Sequence, residues 1–202
     1  VVNDSSDKDQ DAVGYFGDED GCLVETVHVR QGRVIGTRAH MLNDLNPQDP
    51  SEDVREWLVS FLNQYYEDNI IPDELLLPVD LGSDLNKLLE NVLKERSGRK
   101  TIVKFATAEK AQRLVEMANQ NAKAHFEKQK SAQEEKMRGL DEIQVRLNLQ
   151  RRPLRIECYD VSTFQGTETV ASQVVFENGR PAKEHYGRYK IKTVIGTNDF
   201  AS

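Results

Sequence analysis

Between residues 11 and 42 the apolar positions come in short runs and in alternation, the period of strands. AVGYF (12–16) is short and apolar, and CLVETVHV (22–29) alternates. RQGR (30–33) then turns the chain back into VIGTRAHML (34–42). A glycine at 32 between two β-rich runs predicts a hairpin. The turn formers of NDLNPQDPSED (43–53) follow, and Ser51 is placed to cap a helix with acids in its first turn. That helix is predicted to run to about Asp68, with Val54, Trp57, Leu58, Phe61, Leu62 and Tyr65 on one face. PDELLLPVD (72–80) reads as a short buried strand, residues 84–96 as a second amphipathic helix, and GRKTIVKFA (98–106) as a further strand. Thr107 opens a helical region that reaches about Leu149, some 65 Å if straight, with Gly139 as a candidate break. Pro153 stops it, because the residue before a proline disfavours the helical region.

A second β-β-β pattern follows a boundary placed near Arg151: LRIECYD (154–160), TVASQVVF (169–176) and RPAKEHYGRYKI (180–191). Its hairpin turn, ENGR, matches RQGR at an offset of 147 residues, so that Gly32 lies over Gly179 and Arg33 over Arg180. The chain therefore reads as a tandem repeat. Its first unit has the order β-β-β-α-β-α-β-α, and its second runs through three strands. The fold class expected is α/β: ribonuclease H-like mixed sheets with flanking helices. The division expected is a first unit over 1–125, a helical linker over 126–152 and a second unit over 153–202.

Composition changes the picture in three places. With 202 residues, 38% hydrophobic and 30% charged, the chain suits a soluble protein of one large or two small domains. No apolar run approaches the roughly 20 residues of a membrane span, and VVNDSSDKDQD at the start is too acidic for a signal peptide. Cys22 and Cys158 form no CxxC spacing and read as small buried side chains in a reduced, cytoplasmic protein. The net charge of -7 is uneven: residues 151–202 carry eight Lys or Arg against six Asp or Glu, the rest 19 against 28. Contact with a polyanion is expected near the basic end.

Candidate chemistry centres on RIECYDVSTFQG (155–166), where a strand-like run ends on Asp160 and a polar loop follows. A carboxylate on a central strand, joined by acids from other elements, can hold Mg²⁺ or Mn²⁺ and serve phosphodiester cleavage. Asp199, at the expected start of a helix, is the second candidate. The pattern leaves open that Asp160 caps a turn through Ser162 or Thr163 and that Asp199 caps its helix. Arg188, Lys190 and Lys192 form a basic strand beside this position, either touching phosphate or lying as a solvated edge. The four histidines show no ligand spacing. At the 147-residue offset Asp160 falls on Val13, so the first unit keeps the strand without the acid. Asp11 lies two residues earlier on the face of Val13.

ECYDVSTFQG, TVAS, VVFENG, YGRYKIK and NDFAS, in this order and spacing, resemble the start of the endonuclease domain of the UvrC family of bacterial excision-repair nucleases. VRQGRVIGTR, FLNQYY, IPDELLLP and the NQNA helix are similar to the middle of that family. The resemblance implies a ribonuclease H-like, metal-dependent domain that makes the incision 5′ to a DNA lesion. The cofactor implied is Mg²⁺ or Mn²⁺. The partners implied are damaged double-stranded DNA, UvrB and, through it, UvrA, with no membrane and no small-molecule cofactor. Asp160 takes the place of the first catalytic, metal-binding acid, and Asp199 that of the second acid of a GDDYA motif, whose first acid is replaced here by Asn198. The remaining acid and a histidine of that site are expected further on, so this stretch alone is expected to be inactive. The alternative is a non-catalytic scaffold or protein-interaction module.

Overall fold

The computed structural model describes residues 8–51, 53–164 and 168–191. The chain divides into two compact units, residues 1–129 and 130–202.

In the first unit, β1 (Gln10–Asp18), β2 (Gly21–Arg30) and β3 (Arg33–Leu42) form an antiparallel meander. Gln31 and Gly32 both take positive φ, 49° and 72°, the demand of a tight hairpin turn that matches strand twist. Then come α1 (Val54–Tyr65), β4 (Glu74–Leu77), α2 (Gly82–Ser97), β5 (Ile102–Phe105) and α3 (Glu109–Arg146). β4 adds parallel to β1 and β5 parallel to β4, giving the sheet order β3-β2-β1-β4-β5.

Side-chain alternation sends Val13, Cys22, Val24, Leu75, Leu77 and Val103 to one face, under α1 and α2. α1 meets them with Leu58, Leu62 and Tyr65, spaced four and three apart. The other face, carrying Ala12, Val27, Val29 and Leu76, packs on Val115 and Ala118 of α3. Leu23 on that face meets Ala122 and Phe126 one and two turns further along. The unit is thus a sheet between two helical layers, and β1 is its buried centre.

Three local expectations are corrected. The cap of α1 is Asp53, whose carboxylate accepts from the Arg55 N–H, and not Ser51, which is engaged two residues back with Asp49. α3 passes through Gly139 without a break. Its flanking Met137, Arg138 and Leu140 favour helix enough to absorb the roughly 1 kcal/mol that one glycine costs. RPAKEHYGRYKI does not form one strand. It divides into β8 (Arg180–Pro181), a short 3₁₀ turn at Lys183–His185 and β9 (Gly187–Ile191).

The second unit contains β6 (Arg155–Phe164) paired antiparallel with β7 (Glu168–Glu177), which also pairs β8 and β9. Asn178 and Gly179, at φ 51° and 72°, reproduce the turn of Gln31 and Gly32. Lys136 of α3 lies against Gly179, and Arg180 donates to Gln133.

Candidate active site

β6 and β7 run side by side over ten residues, so the ladder fixes which side chains share a face. Asp160 is opposite Ser172, and Ser172 is opposite Arg188 on β9. One cross-strand row therefore reads Asp160–Ser172–Arg188. The next row on the same face reads Ser162–Val170–Lys190. Asp160, Ser162 and Arg188 are exposed. The Ser162 hydroxyl reaches an Asp160 carboxylate oxygen at 3.5 Å, a long contact.

Asp160 does not end its strand, because β6 continues to Phe164. Cys158 is also exposed, since it shares this open face. The expectation of two buried cysteines holds only for Cys22, whose thiol is pushed up to about 12 by burial.

The opposite face of the same strands carries a hydrogen-bonded chain. Tyr159 donates to Glu157 at 2.7 Å, Gln173 donates to both, and Tyr189 donates to Gln173 at 2.6 Å. The hydrogen bond from Tyr159, and then that from Arg155, holds the Glu157 carboxyl below its usual range. Asp160 has no part in this chain.

The first sheet provides a control within the same molecule. The two hairpin turns correspond at 147, which places Ser172 on Glu25. Glu25 pairs Gly14, so the position equivalent to Asp160 is Gly14, and Val13 is one residue off. The cause is the spacing of the strands in the chain: two residues separate Asp18 from Gly21, but three separate Phe164 from Glu168.

A one-residue slip exchanges faces. Asp11 shares the face of Val13, not that of Gly14, so it does not stand in for the missing acid. It is buried and saturated, taking Arg30 Nη1 at 2.7 Å, Tyr66 Oη at 2.9 Å and His28 Nδ1 at 3.0 Å.

The row equivalent to Asp160–Ser172–Arg188 is Gly14–Glu25–Ala39, and the next is Phe16–Leu23–Met41. α3 closes both. A Cβ on Gly14 would lie 2.3 Å from the Asn119 nitrogen, and Phe16, Leu23 and Met41 pack on Ala122 and Phe126. The first sheet thus has neither the acid nor room for a substrate.

Asp199, Asn198 and Lys192 lie outside the described residues. Among the described residues no group of three His, Cys, Asp or Glu could hold a metal ion. Asp160 supplies one oxygen-donor side chain of the kind Mg²⁺ or Mn²⁺ prefers, and not a complete shell. No helix among the described residues is long and apolar enough to cross a membrane.

The profile described as "UvrC Ribonuclease H-like domain" matches residues 9–129, and that of the "UvrC RNAse H endonuclease domain" matches residues 144–202. The chain belongs to the UvrC family. A UvrABC system protein C from Bdellovibrio bacteriovorus is 70% identical over 202 residues, all of this chain and 32% of that protein. Homologues of the same name from Clostridioides difficile and Trichlorobacter lovleyi are 34% and 38% identical, over 98% and 95% of this chain. The chain spans about a third of the length of these UvrC relatives. Its five-stranded mixed sheet with flanking helices is that of a ribonuclease H-like UvrC domain, and the second sheet is antiparallel throughout its described strands.

Sequence reasoning did not find Gly14, Glu25 or Ser172. Their roles come from strand pairing, and the signal available was the extra residue between β6 and β7.

Proposed function

We propose that this chain is the central part of an excision-repair incision subunit, with the start of a phosphodiester-hydrolysing site in its second unit. The observation that carries this reading is the open Asp160 row beside a filled row at the same place in the first sheet. Asp160 and Asp199 would hold Mg²⁺ or Mn²⁺, with further ligands contributed from the rest of the parent protein. Such ions supply Lewis-acid activation of the phosphodiester and of the attacking water. Asp160 lies on an exposed sheet face, and Arg188, Lys190 and Lys192 would offer cations to the DNA backbone. The substrate is damaged double-stranded DNA, and the partners are UvrB and, through it, UvrA, in the cytoplasm.

The first unit serves a different role. Its filled face and acidic balance favour a scaffold or protein-interaction module over a phosphate-gripping surface. The 202-residue chain is expected to leave nicked and lesion-bearing duplex uncut in Mn²⁺. In the full parent protein, Asp160→Ala is expected to abolish 5′ incision. Unchanged 5′ incision by that variant would refute the assignment.

A further inference from the structure

We infer that β9 is a phosphate rail: Arg188 positions the scissile phosphate at Asp160, and Lys190 takes the neighbouring phosphate of the same DNA strand. The inference deepens the hydrolase reading above and rests on it.

Three observations carry the rail. Arg188 stands in the same cross-strand row as Asp160, two strands away, about 10 Å at the ordinary strand spacing. An arginine side chain covers more than half of that gap, and a phosphate held at the carboxylate covers the rest. Ser172, the residue between them, is too small to block the path. Second, Lys190 follows Arg188 on the same face, about 7 Å further along β9. That step is comparable with the separation of successive phosphates along one nucleic-acid strand.

Third, alternation sorts charge between the faces. The Asp160 side of β9 carries Arg188 and Lys190, and the reverse side carries Gly187 and Tyr189, the latter bonded to Gln173. The same two positions in the first sheet are Ala39 and Met41, below α3. Where the acid is missing, both cations are missing too.

Arg188 and Lys190 are therefore distinguishable by kinetics. A fork-shaped guanidinium at the reacting phosphate orients it, whereas a lysine one phosphate away adds uniform binding.

The test uses the full parent protein in its incision complex on a lesion-bearing duplex. Arg188→Gln is expected to lower kcat for 5′ incision on the order of 10²-fold with KM nearly unchanged, and Arg188→Lys to recover part of it. Lys190→Gln is expected to raise KM. It should also lower the slope of log binding constant against log salt by about 1, read with the non-cutting Asp160→Asn protein. On duplexes carrying one neutral methylphosphonate beside the scissile phosphate, Lys190→Gln is expected to cause no further loss at one of the two neighbouring positions.

Additive losses at both positions, or a wild-type kcat for Arg188→Gln, would overturn the rail. Persistent 5′ incision by Asp160→Asn would instead overturn the hydrolase reading beneath it, so the two failures are separable.

Discussion

Gly14 gives the sharpest test, because propensity and packing make opposite predictions there. Its φ is not positive, so its backbone accepts alanine without strain. In an open strand, Gly14→Ala would stabilise by roughly 0.5–1 kcal/mol through chain entropy and strand fit. In this sheet the added Cβ would lie 2.3 Å from Asn119 N, 2.5 Å from the Ala118 carbonyl carbon and 2.7 Å from Asn119 Oδ1. Two of these atoms belong to a helix backbone and cannot rotate away. α3 would have to withdraw by about 1 Å to restore van der Waals contact.

That withdrawal loosens Val115, Ala118, Ala122 and Phe126, all buried against the sheet. Overpacking of this kind costs about 1–3 kcal/mol. The net expectation is a loss of about 1–2 kcal/mol, or about 4–8 °C in Tm for a unit of this size. Gly14→Asp is expected to lose more than Gly14→Asn, since it places a second carboxylate opposite Glu25, which is fully buried with one oxygen unpaired.

Urea unfolding of the 202-residue chain, followed by fluorescence, reads this directly. The single tryptophan, Trp57, lies edge-on to Tyr15, the neighbour of Gly14, at 5.2 Å. A Gly14→Ala protein as stable as the wild type, or more stable, would mean that α3 does not press on β1. Equal losses for the Asp and Asn variants would remove the charge argument.

Three further outcomes are expected. Burial pushes the Glu74 carboxyl up, but hydrogen bonds from Lys104, Lys8 and Gln10 outweigh it and hold the group at about 2. Its stabilising effect is therefore full above its ordinary value of 4.5 and lost as pH falls from there toward 2. Glu74→Gln should flatten the pH dependence of the urea midpoint in that window, because Lys8 and Lys104 are both near half exposed and rehydrate. A thiol-reactive dye should label Cys158 rapidly in the native chain and Cys22 only on unfolding, so equal rates would contradict the burial of β2. Phe126→Ala should cost about 3–5 kcal/mol and raise amide exchange through Ala118–Phe126, since its ring closes the Phe16–Leu23–Met41 row.

Much of the architecture was legible in the chain. Strand periodicity placed β1, β2 and β3, and the stripes of α1 and α2 were visible as apolar residues three and four apart. The repeated turn was also readable, since Gln-Gly and Asn-Gly suit a hairpin that needs two positive φ angles. The errors share a physical origin. Ser51 and Asp53 are both good caps by type, and only the course of the loop decides between them. Burial of Cys158 was inferred from strand character, but a strand has two faces and only contacts tell which one is covered. The Asp11 network was not legible either, because its partners at 28, 30 and 66 meet only across paired strands and a helix.

The comparison of Asp160 with its counterpart carries the most weight. Matching the chain to itself at a constant offset put Val13 under Asp160, with Asp11 two residues earlier on the same face. One extra residue between β6 and β7 shifts that match by one and reverses the face. The consequence is chemical. On the Val13 face an acid survives because Arg30 pairs with it and Tyr66 and His28 lie within hydrogen-bond distance of it. On the Gly14 face the loss of a side chain lets a helix backbone approach within contact, and Phe126 fills the next row. An active site needs the reverse: a charged group kept at an open surface, with cations from a neighbouring strand on the same side. Register puts Asp160, Arg188 and Lys190 on one face, the arrangement the proposed site would need. Restoring the acid at Gly14 therefore cannot restore a site, because α3 already occupies the space a phosphate would need.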